Sequence, residues 1–260
     1  MSARVWIVFF LLTASCLLPT TAQASLTDGL VGYWTFDGKD TNWGTNKTND
    51  LSGQGNTGTL TNMSTTTSPV VGKIGQGLKF DGTDDYVSSS FATYVSSSPL
   101  ETVSFWVKAT SEQSVKTVYS ESGNGGANYF SIGTGPTFSG GCGCNLSSKI
   151  EVVIGTGNFG YAIDRNSNGT VFNNAWHHIV WTDDNGTAKL YIDGVVDSVN
   201  FNYTPLSNTT VVRTTVGANA LNGTLGSFLA GKIDDVRVYN RALSAGEVMQ
   251  LYKAGQVIRR

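Results

Sequence analysis

Residues 175–194, AWHHIVWTDDNGTAKLYIDG, constrain the fold more than any other stretch of the chain. They read as two β-strands joined by a tight turn. His177, Ile179 and Trp181 fall on one side of an extended chain; His178, Val180 and Thr182 fall on the other. Asn185-Gly186 follows, the pair that supplies the positive φ angles a two-residue hairpin needs. In the returning strand Ala188, Leu190 and Ile192 share one face, opposite Lys189, Tyr191 and Asp193. Asp193-Gly194 then turns the chain again. Alternation of period two marks half-buried antiparallel β structure.

The same signal recurs along the chain. Short apolar or β-branched runs near 30–36, 57–60, 77–80, 86–89, 102–109, 115–120, 129–132, 149–154, 195–200, 211–216 and 231–239 are separated by Gly, Asn, Asp and Ser. This spacing predicts an all-β fold, a two-sheet antiparallel sandwich. One helix is expected, at the C-terminus. Ser244-Ala245-Gly246-Glu247 fits a capping box, and Val248, Leu251 and Tyr252 give it a short apolar face.

Residues 1–24 read as a secretory signal: Arg4, an apolar run over 5–18, and a small-x-small end at Ala22-Gln23-Ala24. The remainder, 25–260, is expected to form a single domain, since sandwiches of this length commonly do. A secreted or periplasmic product follows from the signal, with no membrane insertion after its removal. The formal net charge of −2 gives no footprint for nucleic acid. Beyond the signal, the cysteines are Cys142 and Cys144, in a glycine-rich excursion over 123–148. A strained bridge, free thiols and an intermolecular link are all open to a Cys-x-Cys pair.

Four blocks share a further pattern: LVGYWTFDG (30–38), DLSGQGNTGTL (50–60), VGKIGQGLKFDGTDDYV (71–87) and IDDVRVYNRALSAGEV (233–248). In this order, with the 175–194 hairpin between the third and the last, they resemble the laminin G-like, concanavalin A-like lectin-glucanase jelly-roll domains of secreted bacterial proteins. The resemblance implies a jelly-roll sandwich whose last strand pairs near the first. It also implies a structural calcium ion near the packed ends of the chain, with Asp37, Asp81, Asp84 and Asp234 as candidate ligands. Oxygen-rich turns suit calcium. The same aspartates equally suit Asx turns, in which the carboxylate accepts from its own backbone.

Catalytic motifs are sparse. The Glu-x-Asp-x-Glu strand of glycosidases on this fold is absent, and the five glutamates lie far apart in sequence. His177 and His178, the only histidines, are adjacent on a strand and point to opposite faces, so they cannot share one metal. Binding chemistry points to aromatics in polar stretches, because an aromatic ring stacks on the apolar face of a pyranose. Trp43, Tyr94, Tyr129, Phe159, Tyr161 and Tyr203 are the candidates. The expectation is a non-catalytic lectin-like module for carbohydrate or a cell-surface glycoconjugate. The alternatives are a protein-binding adhesion domain and a divergent polysaccharide hydrolase.

Overall fold

The computed structural model describes residues 25–94, 98–111, 115–123, 129–134, 148–155, 160–206, 211–221 and 224–257. The signal segment, Phe159 and both Cys142 and Cys144 lie outside the described residues. The first strands are β1 (Leu30–Trp34), β2 (Thr41–Asn42), β3 (Lys47–Thr48), β4 (Gly58–Thr61), β5 (Pro69–Val71), β6 (Gln76–Asp81) and β7 (Tyr86–Ser89). The middle holds β8 (Leu100–Ala109), β9 (Lys116–Ser122), β10 (Tyr129–Thr134), β11 (Lys149–Gly155), β12 (Tyr161–Thr170), β13 (His177–Asp184), β14 (Thr187–Ile192) and β15 (Val195–Val196). The last are β16 (Arg213–Val216), β17 (Asn219–Leu221), β18 (Thr224–Gly226) and β19 (Ala230–Tyr239), followed by helix α1 (Ala245–Ala254).

Apart from β17 and β18, which pair with each other, these strands build two sheets, the first of eight strands ordered β15-β14-β13-β8-β19-β6-β5 with β1 also on β19. A nine-stranded sheet runs β12-β11-β10-β9-β16-β7-β4-β3-β2. All pairings are antiparallel, and apolar side chains of both sheets meet in one core around Trp34, Phe80, Phe105, Phe130 and Trp181. The fold is the concanavalin A-like sandwich that the sequence predicts.

The 175–194 hairpin forms as read. Asp184 pairs with Thr187 across Asn185 (φ 52°) and Gly186 (φ 85°), the two positive φ angles of a type I′ turn. The first and last strands close on each other, with Trp34 opposite Val236. β19 also pairs with β6 through its first half, and the two halves are separated by a bulge at Asp234–Asp235, where Asp235 has φ 51°. The bulge lets one strand serve two neighbours on the same edge.

Helix α1 lies on the outer face of the eight-stranded sheet. Ser244 and Glu247 form the capping box. Val248 and Leu251 pack with Val180, Tyr191, Tyr239 and Leu243 in a second apolar cluster. Each such buried side chain contributes roughly 1.5–3 kcal/mol. Tyr252 stacks on Trp106, with ring centroids 5.8 Å apart.

Candidate functional site

The fold disposes of the histidines first. His178 is buried between Trp106 and Tyr252, and its Nε2 lies 2.9 Å from Ser104 Oγ. Burial, with the nearby Arg237 charge, holds its pKa down at about 3. His177 faces the other way, with Nδ1 2.7 Å from Asp193 Oδ2. The two share no site.

Carboxylates far apart in sequence do come together, in the interior. Glu101 and Asp183 are direct cross-strand partners on the inward phase of β8 and β13. Glu121 joins them from the opposite sheet. Its carboxylate accepts from Tyr119 Oη (2.6 Å), Tyr94 N (2.7 Å), Thr93 N (2.8 Å) and Thr93 Oγ1 (3.0 Å). Asp183 accepts from Gly186 N and Tyr203 Oη, and Glu101 Oε1 is buried without a partner. Burial raises the pKa of all three, that of Asp183 to about 6. All three are 0% exposed, so none offers an oxygen to a substrate arriving from solvent.

The four aspartates expected at one metal occupy two places. Asp37 and Asp234 both hold the glycine turn at 72–76. Asp234 Oδ2 accepts from the N–H groups of Lys73 (2.7 Å) and Ile74 (2.8 Å), and Asp37 Oδ1 from that of Gln76 (2.7 Å). The turn needs glycine there: a Cβ on Gly75 (φ +66°) would sit 2.3 Å from Asp37 Oδ1. Asp234 Oδ1 is buried without a partner, and burial raises its pKa to about 8. Asp81 and Asp84 sit apart from these, in the β6–β7 turn with Asp85. Asp81 Oδ1 accepts from Thr83 N at 2.8 Å, which is an Asx turn. Oxygens of Asp81, Asp84 and Asp85 lie within 4.8 Å of one another.

The aromatic candidates do not form one surface. Tyr94 is 1% exposed and stacks on Phe130 in the core, which corrects its expected role at a ligand surface. Its polar neighbours hid an inward position. Tyr203 is half-buried with its hydroxyl on Asp183, and Trp43 is half-buried against the core. Tyr129 and Tyr161 do meet. They are the direct partners of Gly155 from either side, on the outer face of the nine-stranded sheet. Gly155 leaves room for the Tyr129 ring, since a Cβ there would sit 2.2 Å from Tyr129 Cε1. Tyr161 is 36% exposed and Tyr129 only 7%.

That outer face carries a feature the sequence reading missed. The cross-strand register aligns Lys47, Thr59, Ser88, Thr215, Ser120 and Ser131 in one row. A second row runs Arg213, Ser122, Tyr129, Gly155, Tyr161. The middle of the first row is closed: Thr215 Oγ1 donates to Ala218 O (2.8 Å), and Ser120 Oγ lies 2.8 Å from Thr215 Oγ1. Towards β3 the face opens into a groove of about 440 Å³ lined by Lys47, Thr59, Tyr86, Ser88, Ser90 and Arg213. Hydroxyls, two cations and a tyrosine are groups that can hydrogen-bond and stack with a polar ligand. The alternation of Ser and Thr in β7, β9 and β16 was a visible signal, but only the register gathers it.

No curated protein sequence matches the chain. Among solved structures it is similar to domain 4 of AbnA, an extracellular arabinanase of Geobacillus stearothermophilus, in complex with arabinotriose. That match has 24% identity and a TM-score of 0.61, covering 86% of this chain and 98% of that one. The binding domain of Paraclostridial Mosquitocidal Protein 1 is similar at 17% identity and a TM-score of 0.61, over 88% of this chain and 53% of that one. The chain thus spans about half of that toxin domain. A sialidase of Trypanosoma rangeli, in complex with the inhibitor DANA, is similar at 16% identity and a TM-score of 0.60, over 91% of this chain and 34% of that one. At these identities the likeness is one of fold. Among the described residues no helix is long and apolar enough to cross a membrane. The family model of the concanavalin A-like lectin/glucanases superfamily, in its laminin G-like form, matches residues 81–249, more than half of the chain, and the protein belongs to that family.

Proposed function

We propose that the protein is an exported, non-catalytic carbohydrate-binding module that uses the outer face of its nine-stranded sheet. The observation that carries this is the open groove of Lys47, Thr59, Tyr86, Ser88 and Arg213, with Arg213 in cross-strand register, across the buried Ser122, with the Tyr129–Gly155–Tyr161 row. Polar groups there suit sugar hydroxyls, and the exposed Tyr161 ring suits a pyranose or furanose face. The arabinotriose bound by the similar arabinanase domain makes short oligosaccharides the first ligands to test. Support for the non-catalytic part is the enclosure of Glu101, Glu121 and Asp183, since hydrolysis needs two carboxyls flanking a bound sugar.

The test is calorimetric titration of the full chain with arabinotriose and a panel of neutral oligosaccharides. Tyr161→Ala should weaken binding about fivefold or more, the loss of one aromatic contact worth roughly 1 kcal/mol. Because Tyr161 is exposed, the melting temperature should stay put. No heat with any sugar, or equal affinity in Tyr161→Ala and Arg213→Gln, would sink the proposal.

A structural calcium ion belongs to the same proposal. Its support is the approach of the Asp81, Asp84 and Asp85 oxygens to within 4.8 Å, a spacing compatible with one ion at about 2.3–2.6 Å from each. Asp37 and Asp234 act instead as acceptors for the 72–76 turn. A chelator should lower the melting temperature of the wild type and leave that of Asp84→Asn unchanged. An unchanged wild-type midpoint would remove calcium from the account.

A further inference from the structure

The outer face of the opposite, eight-stranded sheet carries a row of three lysines. Lys79 in β6 is the direct partner of Lys232 in β19, and Lys232 is the direct partner of Lys108 in β8. Neighbouring strands lie about 4.8 Å apart, so three side chains of like charge rise side by side within about 10 Å. Like charges directly opposite each other destabilise a sheet. Among the described residues none of the three is in an ion pair. Helix α1 leaves the row uncovered: its end packs on Trp106, the residue two before Lys108 on the same face. Lys79 is exposed, and Lys108 and Lys232 are half-buried.

The row also has a hollow beside it. A cavity of about 310 Å³ is lined by Lys79, Lys108, Lys232, Asn174, Ala230 and Asp81, among others. Small residues at the start of β19, Ala230 and Gly231, make the depression. Asp81, the acid at its rim, is turned to its own loop by the N–H groups of Thr83 and Asp84. Asp85 feels the charge of Lys79 but is itself buried. Three ammonium groups around an open hollow, none of them in an ion pair among the described residues, form a site for an anion.

We propose that this face binds an acidic polysaccharide, a chain carrying a carboxylate or sulfate on successive sugars. The site is separate from the groove on the nine-stranded sheet, though the polymer class rests on the carbohydrate reading of the protein. Charge complementarity selects an anion. The short reach of the row, within a chain of net charge −2, selects a polymer held at a few anionic groups over a nucleic acid, whose binding needs a wider basic field. Trp176 stands immediately before β13, whose first residue His177 is the partner of Val107, and is half-buried there. An aromatic there is a natural neighbour for a sugar ring.

The experiment measures binding of the full chain to polygalacturonate, heparin, neutral arabinan, inorganic sulfate and a DNA duplex at fixed ionic strength. The wild type is compared with the double variant Lys108→Gln/Lys232→Gln. At least one acidic polysaccharide should bind the wild type and weaken about tenfold or more in the variant, the loss expected for charge-assisted hydrogen bonds. Its affinity should fall with added salt. Polygalacturonate alone identifies carboxylate, and heparin alone identifies sulfate; either result upholds the proposal. Arabinan binding should be the same in both proteins, which keeps this test independent of the groove. The variant should melt no lower than the wild type, because it relieves repulsion. Equal affinity in both proteins, no binding by either acidic polymer, or DNA bound more tightly than both would overturn the proposal.

Discussion

Replacing Asp183 by Asn should make the protein more stable at neutral pH and change how its stability responds to pH. Asp183 is held at about 6 in place of its ordinary 3.8, chiefly by burial. Between those values the folded chain keeps a proton that the unfolded chain has released. Stability is therefore greatest below the unfolded value and falls as pH rises through the folded one. The full cost of ionising the buried carboxyl is about 3 kcal/mol, at about 1.4 kcal/mol per tenfold change in proton affinity. Asn keeps an acceptor for Gly186 N–H and can donate to Tyr203 Oη, so the contacts survive while the charge is gone. Urea unfolding at pH 4, 5.5 and 7 reads the effect. The gap between variant and wild type should grow in the variant's favour by about 2–3 kcal/mol from pH 4 to pH 7. Glu101 feels the charge of Asp183, so part of the gain should come from Glu101 ionising more easily. Parallel stability profiles for the two proteins would mean that Asp183 ionises in the folded chain as easily as in the unfolded one.

Other perturbations are simpler. Ser244→Ala removes the hydroxyl that accepts from Glu247 N and should cost about 1 kcal/mol in a denaturant melt. Gly186→Ala puts a methyl 2.3 Å from Tyr203 O at φ +85°, and should cost about 2 kcal/mol or more, with the 201–206 segment losing protection in hydrogen exchange. His178, with its pKa down at about 3, should show an imidazole resonance that stays flat from pH 8 to pH 4.5. Its contribution has the opposite sign to that of Asp183. It is complete above the ordinary histidine value of 6.5 and is lost as pH falls towards 3.

How much was legible in the sequence depended on whether phase or register carried the information. Phase along a strand is local, so the hairpin at Asn185-Gly186, the split of His177 from His178 and the capping box at Ser244 all read directly. β12 did not, because Asp164, Asn166, Asn168 and Gly169 are poor strand formers, and its pairing with β11 overrides that preference. Tyr94 misled for the same local reason: its polar surroundings pointed outward while Phe130 and Glu121 hold it inside.

Register is set by partners distant in the chain, and there the sequence ran out. Glu101 stands in phase with Val103, Phe105 and Val107, and Asp183 with Ile179 and Trp181. A charge on an inward phase was therefore visible at both positions, and each could have been marked as a buried acid. That the two are partners, and that Glu121 meets them from the other sheet, follows only from strand pairing. Lys79, Lys108 and Lys232 show the converse. Each alone is an ordinary outward lysine, and their alignment comes from β6 and β8 both pairing with β19. Outward lysines scattered at random cost a sheet nothing, whereas three in one row are opposed at every pairing. Repulsion of that kind, with none of the three lysines in an ion pair among the described residues and an open hollow beside them, is the arrangement a bound polyanion would relieve.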